Sequence, residues 1–245
     1  MNIAVILAGG TGSRIDSGIP KQFIEIKGKP MICFCLETFF AHEDIDGIQI
    51  VADKAWREYI LRHILEIEKH FGVPKKFRGF SEPGVNRQMS IYHGLKDIRE
   101  YAKDSDTVLI HDAARPFVQA SQISRCFAVM EGHDGVISML PMKDTVYMVN
   151  EGKICSLLDR TRIYAGQAPE LFLLGKYYEA NNALLPDRIL SVNGSTEPAV
   201  MAGMDIWLAE GDEGNFKVTT GKDMELFRQI AENSFRSFPI FPYQL

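Results

Sequence analysis

Apolar residues fall in two alternating rhythms along the first 140 positions. Short solid runs are followed by longer stretches in which apolar residues recur every three or four positions. The solid runs Ile3 to Leu7, Ile48 to Ala52, Thr107 to Ile110 and Gly135 to Leu140 predict buried strands, with Lys76 to Phe80 a shorter candidate. Between them, Met31 to Phe40 suits a helix. Trp56, Tyr59, Ile60, His63, Ile64 and Ile67 mark one face of a second helix, on which His63 is expected as a packed core histidine. A third helix is expected from Asn86 through Tyr92, Leu95 and Ile98, and a fourth from a cap at Ser121 to Met130. Strands alternating with helices predict βαβ units and an α/β fold around a mainly parallel sheet.

The rhythm then changes. Thr145 to Val149 and Ile154 to Leu158 are β-like and flank Asn150-Glu151-Gly152-Lys153, which predicts a hairpin projecting from the sheet as an arm. After it come a helix near Leu174 to Leu184, a loop from Asp187 to Ser195 and a short helix near Pro198. A strand over Asp205 to Ala209 and an extended run over Asn215 to Val218 precede the last helix, opened by a capping box of Thr220 and Asp223. These elements suit one domain over residues 1–235, with 143–169 as the arm and 236–245 as an aromatic tail expected to pack on the body or a neighbour.

Composition narrows the classes. Of 245 residues, 46% are hydrophobic and 24% charged, the balance of an ordinary globular domain. A net charge of −5 supplies no general basic face and argues against a nucleic-acid partner. With no apolar run of membrane-spanning length and no basic region before the first apolar stretch, neither a membrane span nor a signal peptide is expected. Cys33, Cys35, Cys126 and Cys155 form no Cys-x-x-Cys pair and sit in apolar segments. Free buried thiols in a reducing cytoplasm are expected.

The chemistry concentrates in Leu-Ala-Gly-Gly-Thr-Gly-Ser-Arg-Ile-Asp-Ser-Gly-Ile-Pro-Lys, residues 7–21. Gly9, Gly10 and Gly12 directly after a strand let the backbone turn sharply and approach a ligand, and successive N–H groups there can cradle phosphate oxygens. Arg14 and Lys21 add positive charge, so the stretch reads as a triphosphate loop. The spacing is not Gly-x-x-x-x-Gly-Lys-Ser/Thr. The dinucleotide pattern also fails, because Ile15 stands where a third glycine belongs.

Two other segments fall at strand ends, where ligands of parallel sheets bind. Gly84 to Ser90 offers amides and a hydroxyl suited to a base edge, or alternatively a helix N-terminus capped by Asn86. In His111-Asp112-Ala113-Ala114-Arg115-Pro116, Asp112 places a carboxylate at the rim, suited to Mg²⁺ beside a triphosphate. A lysine, Lys217, stands in the late extended run.

Taken together, Ala8-Gly9-Gly10-x-Gly12-x-Arg14, Pro20-Lys21-Gln22-Phe23, Gly28-Lys29-Pro30, Arg87-Gln88-x-Ser90, His111 to Pro116, Lys143-Asp144-Thr145, Asp159-Arg160, Gln167-x-Pro169 and Lys217-Val218-Thr219 resemble the methylerythritol-phosphate cytidylyltransferases. The ribitol-5-phosphate cytidylyltransferases share most of these motifs. The resemblance runs from about residue 3 to about residue 230. It implies a Rossmann-like nucleotidyltransferase fold, joining of a polyol phosphate to CTP with release of pyrophosphate, and Mg²⁺ as cofactor. It also implies a homodimer whose arms reach into each other's sites. Under it, Arg14, Lys21 and Lys217 are catalytic, and Ala8, Gly9, Gly10, Thr11 and Gly12 hold the triphosphate. Gly84, Arg87 and Ser90 line the cytosine pocket, with Asp112 and Ala113 beside the nucleotide and Asp112 at the metal. Arg115, Thr145, Arg160 and Lys217 surround the polyol phosphate.

The chain departs from the family's pattern at three places: Ala168 where a threonine is usual, Pro83 where a glycine is usual, and Thr196-Glu197-Pro198-Ala199 in place of a Thr-Asp-Asp/Ala type motif. Gly10 leans toward the ribitol branch and Lys143-Asp144-Thr145 toward the methylerythritol branch. Methylerythritol phosphate is the expected acceptor, with ribitol 5-phosphate, or a nucleotide-binding module without turnover, as alternatives.

Overall fold

In the first strand, β1 (Asn2–Leu7), Ile3 and Val5 point to one face of a sheet while Ala4 and Ile6 point to the other, and all four are fully buried. A strand buried on both faces reads as a solid apolar run, and it needs a layer of helices on each side. The computed structural model, which describes residues 1–10, 18–72 and 75–237, shows those layers.

After β1 come a 3₁₀ turn at Lys21–Phe23, the two-residue strands β2 (Glu25–Ile26) and β3 (Lys29–Pro30), and α1 (Met31–Ala41). Next are β4 (Gly47–Val51), α2 (Lys54–Phe71), β5 (Phe77–Ser81), α3 (Arg87–Ile98), β6 (Thr107–Asp112), α4 (Ala120–Val129) and β7 (Gly135–Pro141). The arm is β8 (Val146–Asn150) and β9 (Lys153–Leu158). The rest is β10 (Tyr164–Leu173), α5 (Leu174–Asn182), α6 (Glu197–Met201), β11 (Ile206–Glu210) and α7 (Gly221–Ser237).

Seven strands form one sheet in the order β11-β7-β10-β6-β1-β4-β5. All neighbours run parallel except β10, which is antiparallel to both β6 and β7. One face packs Ala4, Ile6, Ile50 and Leu109 against α1, α2 and α4 through residues such as Phe39, Phe40, Ile64 and Ile123. The other packs Ile3, Val5, Val108 and Phe172 against Ile91 and Leu95 of α3 and Tyr177 of α5. A third apolar group seats α7, where Phe227 meets Phe34 and Phe117 edge-on or tilted.

Local chemistry explains the element ends. Asp53 caps α2 by accepting from the Ala55 N–H at 2.9 Å, and Gly72 closes it in the left-handed conformation. Asn86 caps α3 through the Met89 N–H at 2.7 Å. At the head of α7, the Asp223 carboxylate accepts from the Thr219 and Thr220 N–H groups while its own N–H donates to the Thr220 hydroxyl, the reciprocal arrangement of a capping box. His63 packs edge-on against Tyr59 at 4.8 Å, and burial pushes its imidazole pKa down.

The structure corrects three expectations. The helix expected from Ser121 starts one residue earlier at Ala120, with Gln119 at the boundary and no side-chain cap, so Ser121 lies inside it. The ten-residue strand β10 had no counterpart in the sequence pattern. Gly166, Gln167, Pro169 and Glu170 interrupt its apolar run, and proline, lacking an N–H, belongs at an irregularity. The pairing with β7 does slip there: Gln167 faces Ser138, Glu170 faces Ile137, and Ala168 and Pro169 face nothing on that side. Third, Cys33, Cys35 and Cys126 are buried free thiols, but Cys155 is exposed. It sits in β9, on a ribbon that no other described element covers.

That ribbon is the expected hairpin. Asn150 pairs with Lys153 across Glu151 and Gly152, whose φ angles of +48° and +80° are those of a tight turn matched to strand twist. Tyr147, Met148, Val149, Ile154 and Leu157 are each more than half exposed on it.

Candidate functional site

Four parallel strands, β1, β4, β5 and β6, end on the same rim, and the rim's loops hold the chemistry. Of the glycine loop, Ala8, Gly9 and Gly10 lie within the described residues; Thr11, Gly12 and Arg14 lie outside them. The Ala8 N–H bonds to the Val51 carbonyl, which extends β1 into the loop. Gly9 must be glycine for a packing reason, since an added Cβ would sit 2.5 Å from the Pro83 Cβ. Among the described residues, nothing lies within 4 Å of the same position on Gly10. The loop is held from behind by Gln22, whose buried amide donates to the carbonyls of Ala8 and Gly10 at 2.7 and 2.8 Å. Lys21, the residue before it, opens the 3₁₀ turn that carries Gln22.

Across from this loop, Pro83 to Ser90 forms the second wall. Gly84 is also a close-packing glycine, because a Cβ there would come within 2.3 Å of the Met89 Cβ. The Ser90 hydroxyl accepts from the Gly84 N–H at 2.9 Å and donates to the Asn86 carbonyl at 3.0 Å. It therefore shapes the turn rather than standing open.

Asp112 lies at the centre. As the last residue of β6 it pairs in register with Leu7, the last residue of β1, so its carboxylate stands next to the glycine loop. Three cations surround it. Arg87 Nε donates to Oδ1 at 2.9 Å, Lys217 Nζ lies 2.8 Å from Oδ2, and Arg115 Nε lies 3.9 Å away. Burial alone raises a carboxyl pKa, but Arg87 and Lys217 overcome it and hold Asp112 well below the usual carboxylate range. Burial lowers the Arg115 pKa, with Asp112 opposing. Ala113 is buried, and its N–H continues the ladder to the Leu7 carbonyl.

Lys217 reaches Asp112 because the late extended segment is pinned to the rim. The Val218 N–H donates to the Ala114 carbonyl at 2.8 Å, and Arg115 donates to the Asn215 carbonyl at 2.7 Å. Under it runs a buried amide network. Asn215 donates to Gln122 Oε1 and to the Ala168 carbonyl, while Gln167 receives the Asp212 N–H and returns a bond to the Asp212 carbonyl. Arg115 Nε makes no hydrogen bond among the described residues, leaving a buried guanidinium N–H available to an anionic oxygen.

Arg87, Asp112, Arg115 and Lys217 thus converge, with Ala8, Gly9, Gly10, Gly84 and Ser90 forming the walls. Thr145 and Arg160 do not join them: both are exposed at the base of the arm, and the bond described for Arg160 runs to the Lys143 carbonyl. Sequence reasoning quoted Gln22, Gln167 and Asn215 within motifs without giving them a role, and it missed Gln122 and Glu170, which faces Arg87 from β10 at 3.7 Å. For Glu170 a signal existed: an acid beside Leu171 and Phe172 in an apolar run is costly to bury without a partner.

As to metal binding, no group of three or more His, Cys, Asp or Glu side chains is assembled among the described residues. A single rim carboxylate suits a hard cation held mainly by substrate phosphates, the usual mode for Mg²⁺. No described helix is long and apolar enough to cross a membrane.

Comparison with known proteins follows the same outline. Residues 2–233 match the profile of the family described as IspD, 2-C-methyl-D-erythritol 4-phosphate cytidylyltransferase. The chain is 32% identical to the ribitol-5-phosphate cytidylyltransferase of Streptococcus agalactiae serotype III (strain NEM316), over 94% of this chain and 95% of that one. It is 36% identical to the 2-C-methyl-D-erythritol 4-phosphate cytidylyltransferase of Clostridium perfringens (strain SM101 / Type A), over 91% and 96%. In fold it is similar to 4-diphosphocytidyl-2C-methyl-D-erythritol synthase from Anaerococcus prevotii DSM 20548, with a TM-score of 0.77 at 22% identity over 94% of this chain and 96% of that one. It is likewise similar to the Francisella tularensis 2-C-methyl-D-erythritol 4-phosphate cytidylyltransferase, with a TM-score of 0.75 at 24% identity over 93% and 98%.

Proposed function

The chain belongs to the 2-C-methyl-D-erythritol 4-phosphate cytidylyltransferase family, and from that premise we propose that it transfers the cytidylyl group of CTP to 2-C-methyl-D-erythritol 4-phosphate. The products are the CDP-polyol and pyrophosphate. The observation that carries this reading is the gathering of Arg87, Arg115 and Lys217 around Asp112 beside the glycine loop. A phosphate acceptor is already ionised and needs no protonic base. What the reaction needs is an anionic nucleophile held in line with an anionic electrophile, and fixed cations to absorb their charge.

An oxygen of the acceptor phosphate forms a bond to the α-phosphorus of CTP as the bond from that phosphorus to the β-phosphate's bridging oxygen breaks, and the electron pair leaves with pyrophosphate. The backbone at Gly10, with Lys21 and Arg14, is assigned to the departing phosphates. Arg115 and Lys217 are assigned to the acceptor phosphate, which brings Lys217 off Asp112 when substrate enters. The released carboxylate then suits Mg²⁺, with CTP phosphates as the other ligands; when bound, the ion supplies charge neutralisation and orientation of the triphosphate.

Thr145 and Arg160 take part in this reading through dimerisation. The apolar ribbon of the arm is left uncovered by the described residues, so we assign it to a second copy, whose site it completes. Buried unbridged thiols at Cys33, Cys35 and Cys126 suit a reducing compartment, and the cytoplasm is the assigned location.

A second acceptor has specific support, since relatives named for ribitol 5-phosphate match at comparable identity and coverage. Pyrophosphate release from CTP should be measured with each acceptor separately. A kcat/KM at least tenfold higher for 2-C-methyl-D-erythritol 4-phosphate supports the first assignment, and the reverse order moves it to the ribitol branch. Inactivity with both, alongside tight CTP binding, favours a nucleotide-binding module.

A further inference from the structure

The guanidinium of Arg87 is in an unusual place. It stands at the first residue of α3, where the helix dipole disfavours a cation. An arginine facing one carboxylate ordinarily pairs with it through two parallel N–H bonds. Arg87 instead gives Asp112 only its Nε, at 2.9 Å to Oδ1, and turns a terminal nitrogen toward Glu170 Oε1, 3.7 Å away. Asp112 Oδ2 is thereby left for Lys217 at 2.8 Å.

Glu170 is also tied to the loop that closes this side of the rim. Both of its oxygens accept from the Ser195 hydroxyl, and Oε2 accepts from the Thr196 hydroxyl at 3.1 Å. Ser195 is fixed a second time, its carbonyl accepting from the buried Tyr177 hydroxyl at 2.7 Å. The other end of the same loop is held by Asn86, the cap of α3, whose amide donates to the carbonyls of Ile189 and Leu190 at 3.1 and 3.2 Å. The segment 189–196 is thus strung between the residue before Arg87 and the carboxylate that faces Arg87. Glu170 itself contacts neither Lys217 nor Arg115 within ion-pair distance among the described residues.

We propose that Glu170 is a positioning residue for the nucleotide: it holds Arg87 off the second oxygen of Asp112 and fastens the 189–196 loop against the base-side wall. The proposal rests on the reading of Gly84 to Ser90 as that wall. Without the Glu170 charge, Arg87 closes on Asp112 through both nitrogens and leaves its place at the base-side wall, and the loop loses its anchor.

The test uses the full-length protein with Mg²⁺, measuring CTP affinity by calorimetry together with kcat, acceptor KM and thermal midpoint. Glu170→Gln is expected to weaken CTP binding about tenfold, equivalent to about 1.4 kcal/mol, with acceptor KM within about twofold of wild type. In an Arg87→Gln background the same change is expected to cost about threefold rather than tenfold, because only the loop anchor is left to lose. Ser195→Ala removes one hydroxyl and no charge, so it decides the matter should Glu170→Gln fail to fold; a loss of about threefold in CTP affinity is expected. Wild-type CTP affinity in both variants, additive effects of Glu170→Gln and Arg87→Gln, or an equal rise for both substrates with a fallen thermal midpoint each overturn the proposal. Wild-type protein that binds no CTP overturns the base-side reading and this proposal with it. CTP binding by the wild type with unaltered variants overturns only the role of Glu170.

Discussion

Replacing Asp112 by asparagine leaves three cations facing a neutral amide. The contacts are close: 2.9 Å to Arg87, 2.8 Å to Lys217 and 3.9 Å to Arg115. At an effective dielectric of about 20, unit charges at the two shorter separations attract by ~6 kcal/mol each, before the cost of desolvating them is subtracted. Removing one partner from a buried ion pair typically costs about 3–5 kcal/mol, because the remaining charge is left buried and uncompensated. Domains have about 5–15 kcal/mol in total, so a large share of stability is at stake. Asp112→Asn is therefore expected to lose about 3 kcal/mol by urea unfolding at neutral pH. Adding Lys217→Met removes one of the stranded cations and is expected to return more than about 1 kcal/mol, the signature of coupled neighbours. An Asp112→Asn variant within about 0.5 kcal/mol of wild type, or strictly additive losses in the double variant, would refute the picture of a carboxylate that holds the cations together.

Three further outcomes follow from other parts of the molecule. Gly9→Ala drives a Cβ to 2.5 Å from the Pro83 Cβ, so CTP-dependent turnover should fall at least tenfold; pairing it with Pro83→Gly should restore most of it, and no rescue would place the fault elsewhere. Asp223→Ala removes the cap of α7 and should cost about 1 kcal/mol near pH 7. The Thr219 hydroxyl and neighbouring N–H groups depress the Asp223 carboxyl to about 2, so its contribution is complete above the unfolded value near 4 and lost as pH falls through 2. The gap between variant and wild type in urea unfolding should accordingly hold from pH 7 to 5 and narrow below 4; a gap that widens in acid would contradict the cap. Finally, Arg160→Ala and Lys21→Ala should each lose turnover, while an equal mixture re-equilibrated from monomers should regain about a quarter of wild-type activity, since half of random dimers carry one intact site of two. No recovery would count against arm exchange.

The parts of the fold visible in the sequence were those with one consistent period. Strands buried on both faces, such as β1 and β6, appear as unbroken apolar runs, and α2 shows its apolar stripe between an Asp53 cap and a Gly72 stop. β10 was hidden because it serves two purposes. Its last three residues, Leu171 to Leu173, pack with the core, whereas Gln167 and Glu170 reach into polar networks on either side of a register slip at Ala168-Pro169. Cys155 was misplaced for the converse reason, since an apolar run on an exposed ribbon looks the same in sequence as one in a core. In the site, residues at strand ends were legible from position alone. Gln22, Gln122, Asn215 and Glu170 were not, because each acts through a partner 12 or more residues away in sequence.

The central claim is that the oxygen of an acceptor phosphate attacks the α-phosphorus of CTP. It is tested most directly with 2-C-methyl-D-erythritol 4-phosphate whose phosphate oxygens carry ¹⁸O, incubated with CTP, Mg²⁺ and the full-length protein, and followed by ³¹P nuclear magnetic resonance. The account predicts a CDP-polyol with the label in its diphosphate bridge and pyrophosphate free of label. Labelled pyrophosphate, or an unlabelled bridge, would contradict it.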